Sequence, residues 1–579
     1  FLGGEKLMSM ANAKTGFPSI DKPWLSFYSE EAISAPLPNS SLYEYIYEKN
    51  KDSLDGIAIR YFGSKISFRE MFSKIESVSN AFVASGVKPK DVVAVCLPAV
   101  PESVYIIYAL NRIGAIPNML DPRYNEGLLE YCLKEAPSSL LLTYDGCYEK
   151  FMKISKSVCP QKIVSISALV SVPPALRIIG SLRQKKNKLQ TAEHVLWNAF
   201  LKSTNLKAQP YNGWKQNDCC IILHTGGTTG NPKGVMLSNY SINAIAHQYN
   251  MLVAPKRGES LLDIIPPFAS YGVCTSMHMP LSLGLSIEMI PKFDPNKFGD
   301  LLAKYKPNYV MGVPSFYESM LSNKKLQNSD MSYLYSAACG GDSVSVPTEK
   351  KINDFLEQRN SPAHVDMGYG MSEMSATACV CVSFKGIHSP GSIGIPFVKT
   401  VFKIIDPESM EECKYNETGE ICISGPGMML GYLKNPELTE KTIRIHSDGL
   451  KWVHTGDLGH ISEKGFLFHD GRIKRMIVRY DGFKIYPSAV EQAIMKHPDV
   501  QSCAVIKYSK AGLGTMPKAY IILKTKIQST DKILGEILNY CHEDLAERSI
   551  PQDFEFVDQL PLTSMGKIDY RALEDEANR

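Results

Sequence analysis

Residues 225–234 read TGGTTGNPKG and follow the apolar run Cys219-Cys220-Ile221-Ile222-Leu223. That run has the length and composition of a buried strand. A strand emptying into four glycines and three threonines around one lysine, Lys233, constrains the fold more than any other stretch. Glycines let backbone N–H groups turn inward as an anion-binding nest. The threonine hydroxyls add donors, and Lys233 adds a mobile positive charge. Together they suit a polyphosphate. The string is not the common P-loop, which needs Gly-Lys followed by Ser or Thr. Here Lys233 stands between Pro232 and Gly234, with no hydroxyl behind it to hold magnesium. A glycine-rich loop alone also fits an ordinary surface loop, so the rest of the chain must arbitrate.

Around this loop the chain alternates helical and strand-like runs. Residues 67–86 carry a helical period, 91–97 and 140–143 read as buried strands, and 102–114 as a helix. Such alternation predicts an α/β architecture of helix-flanked, mostly parallel sheets. After Gly394 the character turns strand-rich, at 401–405 and 419–423. Beyond Asp470, helical periods at 488–497 and 532–547 flank strands at 502–508 and 519–524, a small α+β unit. The expected organisation is an irregular lead-in over 1–40, a large domain over 41–471 and a C-terminal lid over 472–579.

Composition narrows the function classes. With 579 residues there is ample core for two or more domains. A net charge of +3 offers no basic face for nucleic acid. The 14 cysteines show no framework spacing, which predicts reduced thiols. Cys379 and Cys381 alternate as on a strand, and no further ligands accompany them, so they read as core cysteines. The first ten residues lack the basic start and apolar stretch of a secretory signal, and no apolar run reaches spanning length. Residues 163–182 are apolar but are broken by Pro173, Pro174 and Arg177, and a basic cluster follows at 183–188. Peripheral membrane contact is one reading of that pair; a strand followed by a solvated surface loop is the other, and it is preferred. The expected location is cytoplasmic.

The loop string, with Val235-Met236-Leu237 after it, closely resembles the phosphate loop of the adenylate-forming enzymes. These include acyl-CoA synthetases, peptide-synthetase adenylation domains and firefly luciferase. Further motifs match in the family's order: Tyr369-Gly370-Met371-Ser372-Glu373, then Thr455-Gly456-Asp457, Gly471-Arg472-Ile473-Lys474, and Pro561-Leu562-Thr563-Ser564-Met565-Gly566-Lys567. Weaker echoes stand at Ser67-Phe68-Arg69-Glu70 and Ile113-Gly114-Ala115-Ile116-Pro117. The chain looks most like an AMP-forming acyl-CoA synthetase of bacterial type.

The resemblance implies ATP and CoA as substrates, Mg²⁺ as cofactor and a small distorted β-barrel in the strand-rich region. It implies phosphate contacts from Thr225, Gly226, Gly227, Thr228, Thr229, Gly230 and Lys233, and magnesium binding by Glu373. Ser372 would contact the α-phosphate, and Lys567 would bridge the acid and the α-phosphate. Gly368, Tyr369, Gly370 and Met371 would hold adenine, more loosely helped by Gly341 and Asp342; Asp457 and Arg472 would hold the ribose side. Lys474 would be the hinge of the lid and Gly482 a wall of the CoA tunnel. Ala269, Tyr271, Gly272 and Val313 would line the acyl pocket. Ala269 stands where amino-acid-activating relatives carry an aspartate. A buried ammonium without a partner would cost several kcal/mol, so the resemblance implies an apolar acid, a fatty acid first. Transfer to a carrier-protein phosphopantetheine and an inert nucleotide-binding scaffold stand as alternatives.

Overall fold

Parallel strands buried on both faces need near-continuous apolar sequence, and the strands Val92–Cys96, Ile116–Met119, Leu140–Tyr144 and Cys219–Thr225 supply it. In the computed structural model they pair in parallel as the centre of one sheet, eight-stranded among the described residues. The model describes residues 14–183, 194–202, 206–225, 231–342, 344–479, 483–510, 514–524, 530–561 and 568–578. A second sheet, nine-stranded among the described residues, runs parallel through Ile57–Tyr61, Ser286–Met289, Ser260–Asp263, Tyr309–Gly312, Ser336–Cys339 and Val365–Tyr369. Val93 and Val95 of the first sheet and Ile287 and Met289 of the second share one core with the helix Pro101–Arg112. Every residue of that helix is buried. The echo at Ser67 proves to be a capping box: the Ser67 hydroxyl accepts from the Glu70 backbone N–H at 3.2 Å and the Glu70 carboxylate accepts from the Ser67 N–H at 2.8 Å. It starts the helix Phe68–Ala84.

Beyond these sheets the chain builds an antiparallel sheet from Val401–Ile405, Gly419–Ser424, Ile443–Ile445, Lys451–Ile461 and Leu467–Arg472. The C-terminal unit packs Pro487–Met495 and Thr530–Asp544 with the strands Val500–Lys510, Gly514–Leu523 and Asp553–Phe556. It has its own core, including Ile494, Val505, Ile521 and Ile537. The α/β class with a small α+β unit at the C-terminus is thus the observed one.

Two expectations need correction. The described part of the lead-in is not irregular: Pro18–Asp21, Pro23–Phe27 and Glu30–Ser34 form short helices, and Trp24 is fully buried. Prolines at the starts of the first two are the reason, since a fixed φ suits the first helical turn. The apolar stretch 163–182 is more than a strand: after Ile163–Ile166 it forms a helix, Pro174–Arg183. Residues 184–188 of the basic cluster lie outside the described residues. All 14 cysteines are free, and Cys379 and Cys381 are buried. No helix among the described residues is long and apolar enough to cross a membrane.

Glu102, at the start of the buried helix, yields a stability prediction. It is 1% exposed, Ser171 donates to its Oε1 at 2.6 Å, and its Oε2 has no hydrogen-bond partner. Burial pushes its carboxyl up to about 7, against the Ser171 hydrogen bond. The folded chain therefore keeps a proton that the unfolded chain has lost. Stability from this group is full below the unfolded value near 4.5 and is lost as pH rises through about 7. Glu102→Gln removes that dependence, so unfolding at about pH 5 and about pH 8 should show the variant gaining up to about 3 kcal/mol on wild type. An equal difference at both pH values would refute the protonated state.

Candidate active site

Four neighbouring parallel strands, Ser260–Asp263, Tyr309–Gly312, Ser336–Cys339 and Val365–Tyr369, present their carboxyl ends along one edge. Open α/β sheets bind ligands beyond such ends. The turn Ala269-Ser270-Tyr271, Val313, Gly340-Gly341 and the segment after Tyr369 all meet there. Ser270 Oγ lies 2.8 Å from Ser372 Oγ. The Tyr271 hydroxyl is 3.5 Å from the Gly312 carbonyl, which also accepts from the Gly340 N–H at 3.1 Å. A Cβ on Gly341 would stand 3.7 Å from Val313 Cγ1. Ala269, Tyr271, Val313, Gly341 and Gly368 therefore share one region, with Ser372 at its border. Gly272 has a different reason to be glycine: a Cβ would meet the Pro266 carbonyl oxygen at 1.9 Å. Its missing side chain lets the start of the helix Tyr271–His278 pack against the backbone at Pro266.

Asp457 anchors the next part. Its strand, Lys451–Ile461, pairs with Leu467–Arg472 so that Asp457 and Arg472 are register partners. Arg472 Nε stands 2.8 Å from Asp457 Oδ1, and the Tyr369 hydroxyl donates to Oδ2 at 2.7 Å. His469 Nε2 is 3.8 Å from Oδ1. Burial works to raise the Asp457 carboxyl, but His469, Arg472 and Tyr369 outweigh it and hold the group below its ordinary value. Its Oδ1 nevertheless lacks a well-directed hydrogen bond. An ionised oxygen of this kind is a ready acceptor for two neighbouring hydroxyls, as in a ribose.

The strand Cys219–Thr225 runs antiparallel to Lys233–Ser238, with Thr225 opposite Lys233. Gly226, Gly227, Thr228, Thr229 and Gly230 lie outside the described residues, between these two ends. Lys233 Nζ sits 5.3 Å from the centre of the Tyr432 ring, and the Tyr432 hydroxyl donates to Glu373 Oε1 at 2.6 Å. One tyrosine thus links the loop lysine to the Tyr369–Glu373 motif. Glu373 is 8% exposed and has no ion-pair partner among the described residues. A nearly buried carboxylate with a neutral hydroxyl partner is short of positive charge, and its oxygen ligands suit Mg²⁺. His224 precedes the loop with Nε2 2.7 Å from Asn118 Oδ1, and burial pushes its pKa down to about 4, so it stays neutral.

Asp342 is exposed, and Lys474 is exposed on the short helix Ile473–Arg475. Lys567 and Gly482 lie outside the described residues. Sequence reasoning missed Ser270, His469 and Tyr432. Ser270 was within reach, because it stands between two named pocket positions. Tyr432 carried no signal: its place depends on pairing with Val235, far away in the chain.

Comparison with known proteins shows the family and the fold. Residues 47–433 match the family model of AMP-binding enzymes, and 489–567 match that of the AMP-binding enzyme C-terminal domain. The chain is 31% identical over 564 residues to a long-chain-fatty-acid–CoA ligase of Bacillus subtilis, covering 96% of this chain and 98% of that protein. It is 28% identical to a probable 4-coumarate–CoA ligase 3 of Dictyostelium discoideum, covering 94% and 95%. Among solved structures, ATP-bound MatB from Rhodopseudomonas palustris shares the fold, with a TM-score of 0.79 at 24% identity over 93% of this chain and 99% of that one.

Proposed function

Because the chain belongs to the family of AMP-binding enzymes, we propose that it is an AMP-forming acyl-CoA synthetase acting on a fatty acid. A carboxylate oxygen attacks the α-phosphorus of ATP; the bond to the β-phosphate bridging oxygen breaks and pyrophosphate leaves. The thiol of CoA then loses its proton, its sulfur attacks the acyl carbon, and AMP leaves as the thioester forms. Both steps bring anions together, so positive charge and hydrogen-bond donors at the reacting centre lower the barrier.

The single observation that carries this reading is the 2.8 Å contact of Ser270 Oγ with Ser372 Oγ. It brings Ser270, beside Ala269 and Tyr271, against Ser372 of the Tyr369–Glu373 motif, which supports a meeting point for carboxylate and α-phosphate there. Lys233 faces the leaving pyrophosphate and Asp457 holds the ribose. Glu373 would hold Mg²⁺, which when bound neutralises phosphate charge. By the resemblance of their motifs, Lys567 would supply the bridging cation in the first step, Lys474 would be the hinge and Gly482 a wall of the CoA tunnel. A fatty acid is supported by Ala269, which offers an ammonium no counter-charge, by the apolar lining from Val313 and Tyr271, and by the Bacillus subtilis relative. ATP and CoA as substrates point to the cytoplasm.

The test is a panel of carboxylic acids assayed for pyrophosphate and nucleotide products with CoA, with a phosphopantetheinylated carrier protein, or with neither. Fatty acids should release pyrophosphate and yield AMP, with acyl-CoA appearing only when CoA is present. ADP as product, or preference for the carrier protein, would reject the assignment.

A further inference from the structure

The antiparallel sheet holds a cluster of side chains for which adenylation has no use. Cys422 and His454 are register partners on Gly419–Ser424 and Lys451–Ile461. His446 lies on the hairpin turn between Ile443–Ile445 and Lys451–Ile461 and folds back over the same spot. One ligating atom from each of the three lies within 4.8 Å of the others. His446 Nε2 and His454 Nε2 are 3.0 Å apart, and Cys422 Sγ is 3.7 Å from His454 Nδ1. Tetrahedral zinc with two imidazoles and a thiolate needs ligand separations of about 3.4–3.6 Å; the two Nε2 atoms must part slightly, and Cys422 Sγ, which faces Nδ1 of His454, must turn toward its Nε2.

The surroundings orient the set. Glu420 Oε2 is 2.9 Å from His454 Nδ1, where the carboxylate accepts the ring N–H and leaves the Nε2 lone pair free to ligate. The His446 ring stacks on Trp452 at 5.6 Å and 21°, and Trp452 is itself buried. His446 is only half-buried, next to the exposed residues 447–451, which gives an ion a way in.

We propose that Cys422, His446 and His454 bind a borderline-soft divalent metal ion, zinc foremost, with Glu420 orienting His454 and solvent filling the fourth position. Binding releases the Cys422 thiol proton, while the His446 proton moves from Nε2 to Nδ1. The donor set of sulfur and imidazole nitrogen excludes Mg²⁺ as the occupant. Glu420 Oε1 also accepts from the Gly456 N–H at 3.0 Å, one residue before Asp457. The ion is therefore one carboxylate away from the ribose-binding turn and would brace it.

The full chain, stripped of metal with a chelator, is titrated with Co²⁺ alone and with Zn²⁺ alone. One Co²⁺ per chain should bind with a thiolate-to-cobalt charge-transfer band and tetrahedral d–d bands, and Zn²⁺ should displace it. Cys422→Ser should lose the charge-transfer band, and zinc should raise the unfolding midpoint of wild type but not of this variant. His446→Ala, on the half-exposed turn, should lose the tetrahedral bands even if Cys422→Ser folds poorly. Glu420→Gln should keep the bands but bind roughly 10–100-fold more weakly. Absence of the cobalt bands in wild type, or their survival in both Cys422→Ser and His446→Ala, would overturn the site.

Discussion

Gly370→Ala should nearly abolish adenylation in a protein that still folds. A Cβ on Gly370 would meet the Ala376 carbonyl oxygen at 1.8 Å and the Thr377 Cα at 2.7 Å. Both are backbone atoms, so no rotamer change relieves the clash. The loop they belong to is already tight. Ser375 and Ala376 occupy left-handed backbone, at φ 53° and 88°, and the Ala376 N–H and Ala378 N–H donate to the Met371 and Tyr369 carbonyls at 3.1 and 2.9 Å. Room for a methyl group is made only by shifting the whole segment from Tyr369 to Glu373. Such overpacking costs about 1–3 kcal/mol of stability, which a chain of this size tolerates. The larger effect is geometric. The segment carries Tyr369 to Asp457, Ser372 to Ser270 and Glu373 to Tyr432, and a shift of about 1 Å in such groups costs on the order of 100-fold in rate. Acid-dependent pyrophosphate exchange, read beside a melting curve, checks this. A variant with near-normal exchange would show that the loop does not position these groups.

Asp457→Ala should lower kcat/KM for ATP by roughly 100-fold to 10,000-fold while leaving the fold in place. Hydrogen bonds to a charged acceptor contribute about 1.5–3 kcal/mol each, and a ribose offers two donors. The structural cost is smaller, because the Arg472 side chain is 61% exposed and returns to water once its partner is gone. The Tyr369 hydroxyl loses its 2.7 Å acceptor and pays a modest desolvation cost. Asp457→Asn keeps an acceptor oxygen without the charge, and it should fall between wild type and the alanine variant. Initial-rate kinetics with ATP varied at saturating acid separate the outcomes. A loss below about tenfold in Asp457→Ala would remove Asp457 from the ribose contact.

The strand ahead of the glycine loop, the helix after Ser67 and the alternation of elements were legible because each depends on neighbours in sequence. Helix starts that rest on one proline, at Pro18, Pro23 and Pro174, were readable in principle but were submerged in polar or interrupted sequence. Motif strings located Tyr369, Glu373, Asp457 and Arg472. They could not say which of these touch, because Tyr369 meets Asp457 across 88 positions and Tyr432 meets Glu373 across 59. Gly272 shows what position in a motif cannot tell: its backbone packs so close to the Pro266 carbonyl that no side chain fits.

The sequence alone thus determined the elements and the family: apolar periodicity sets helices and strands, and the ordered motif strings carry the resemblance. Tertiary structure alone decided which side chains meet: Ser270 with Ser372, Lys233 with Tyr432 and Tyr432 with Glu373, and Cys422 with His446 and His454. Strand register brings Cys422 opposite His454 and Asp457 opposite Arg472. Register is set by which faces bury together across the whole sheet, and that is a property of the packed chain rather than of any short stretch of it.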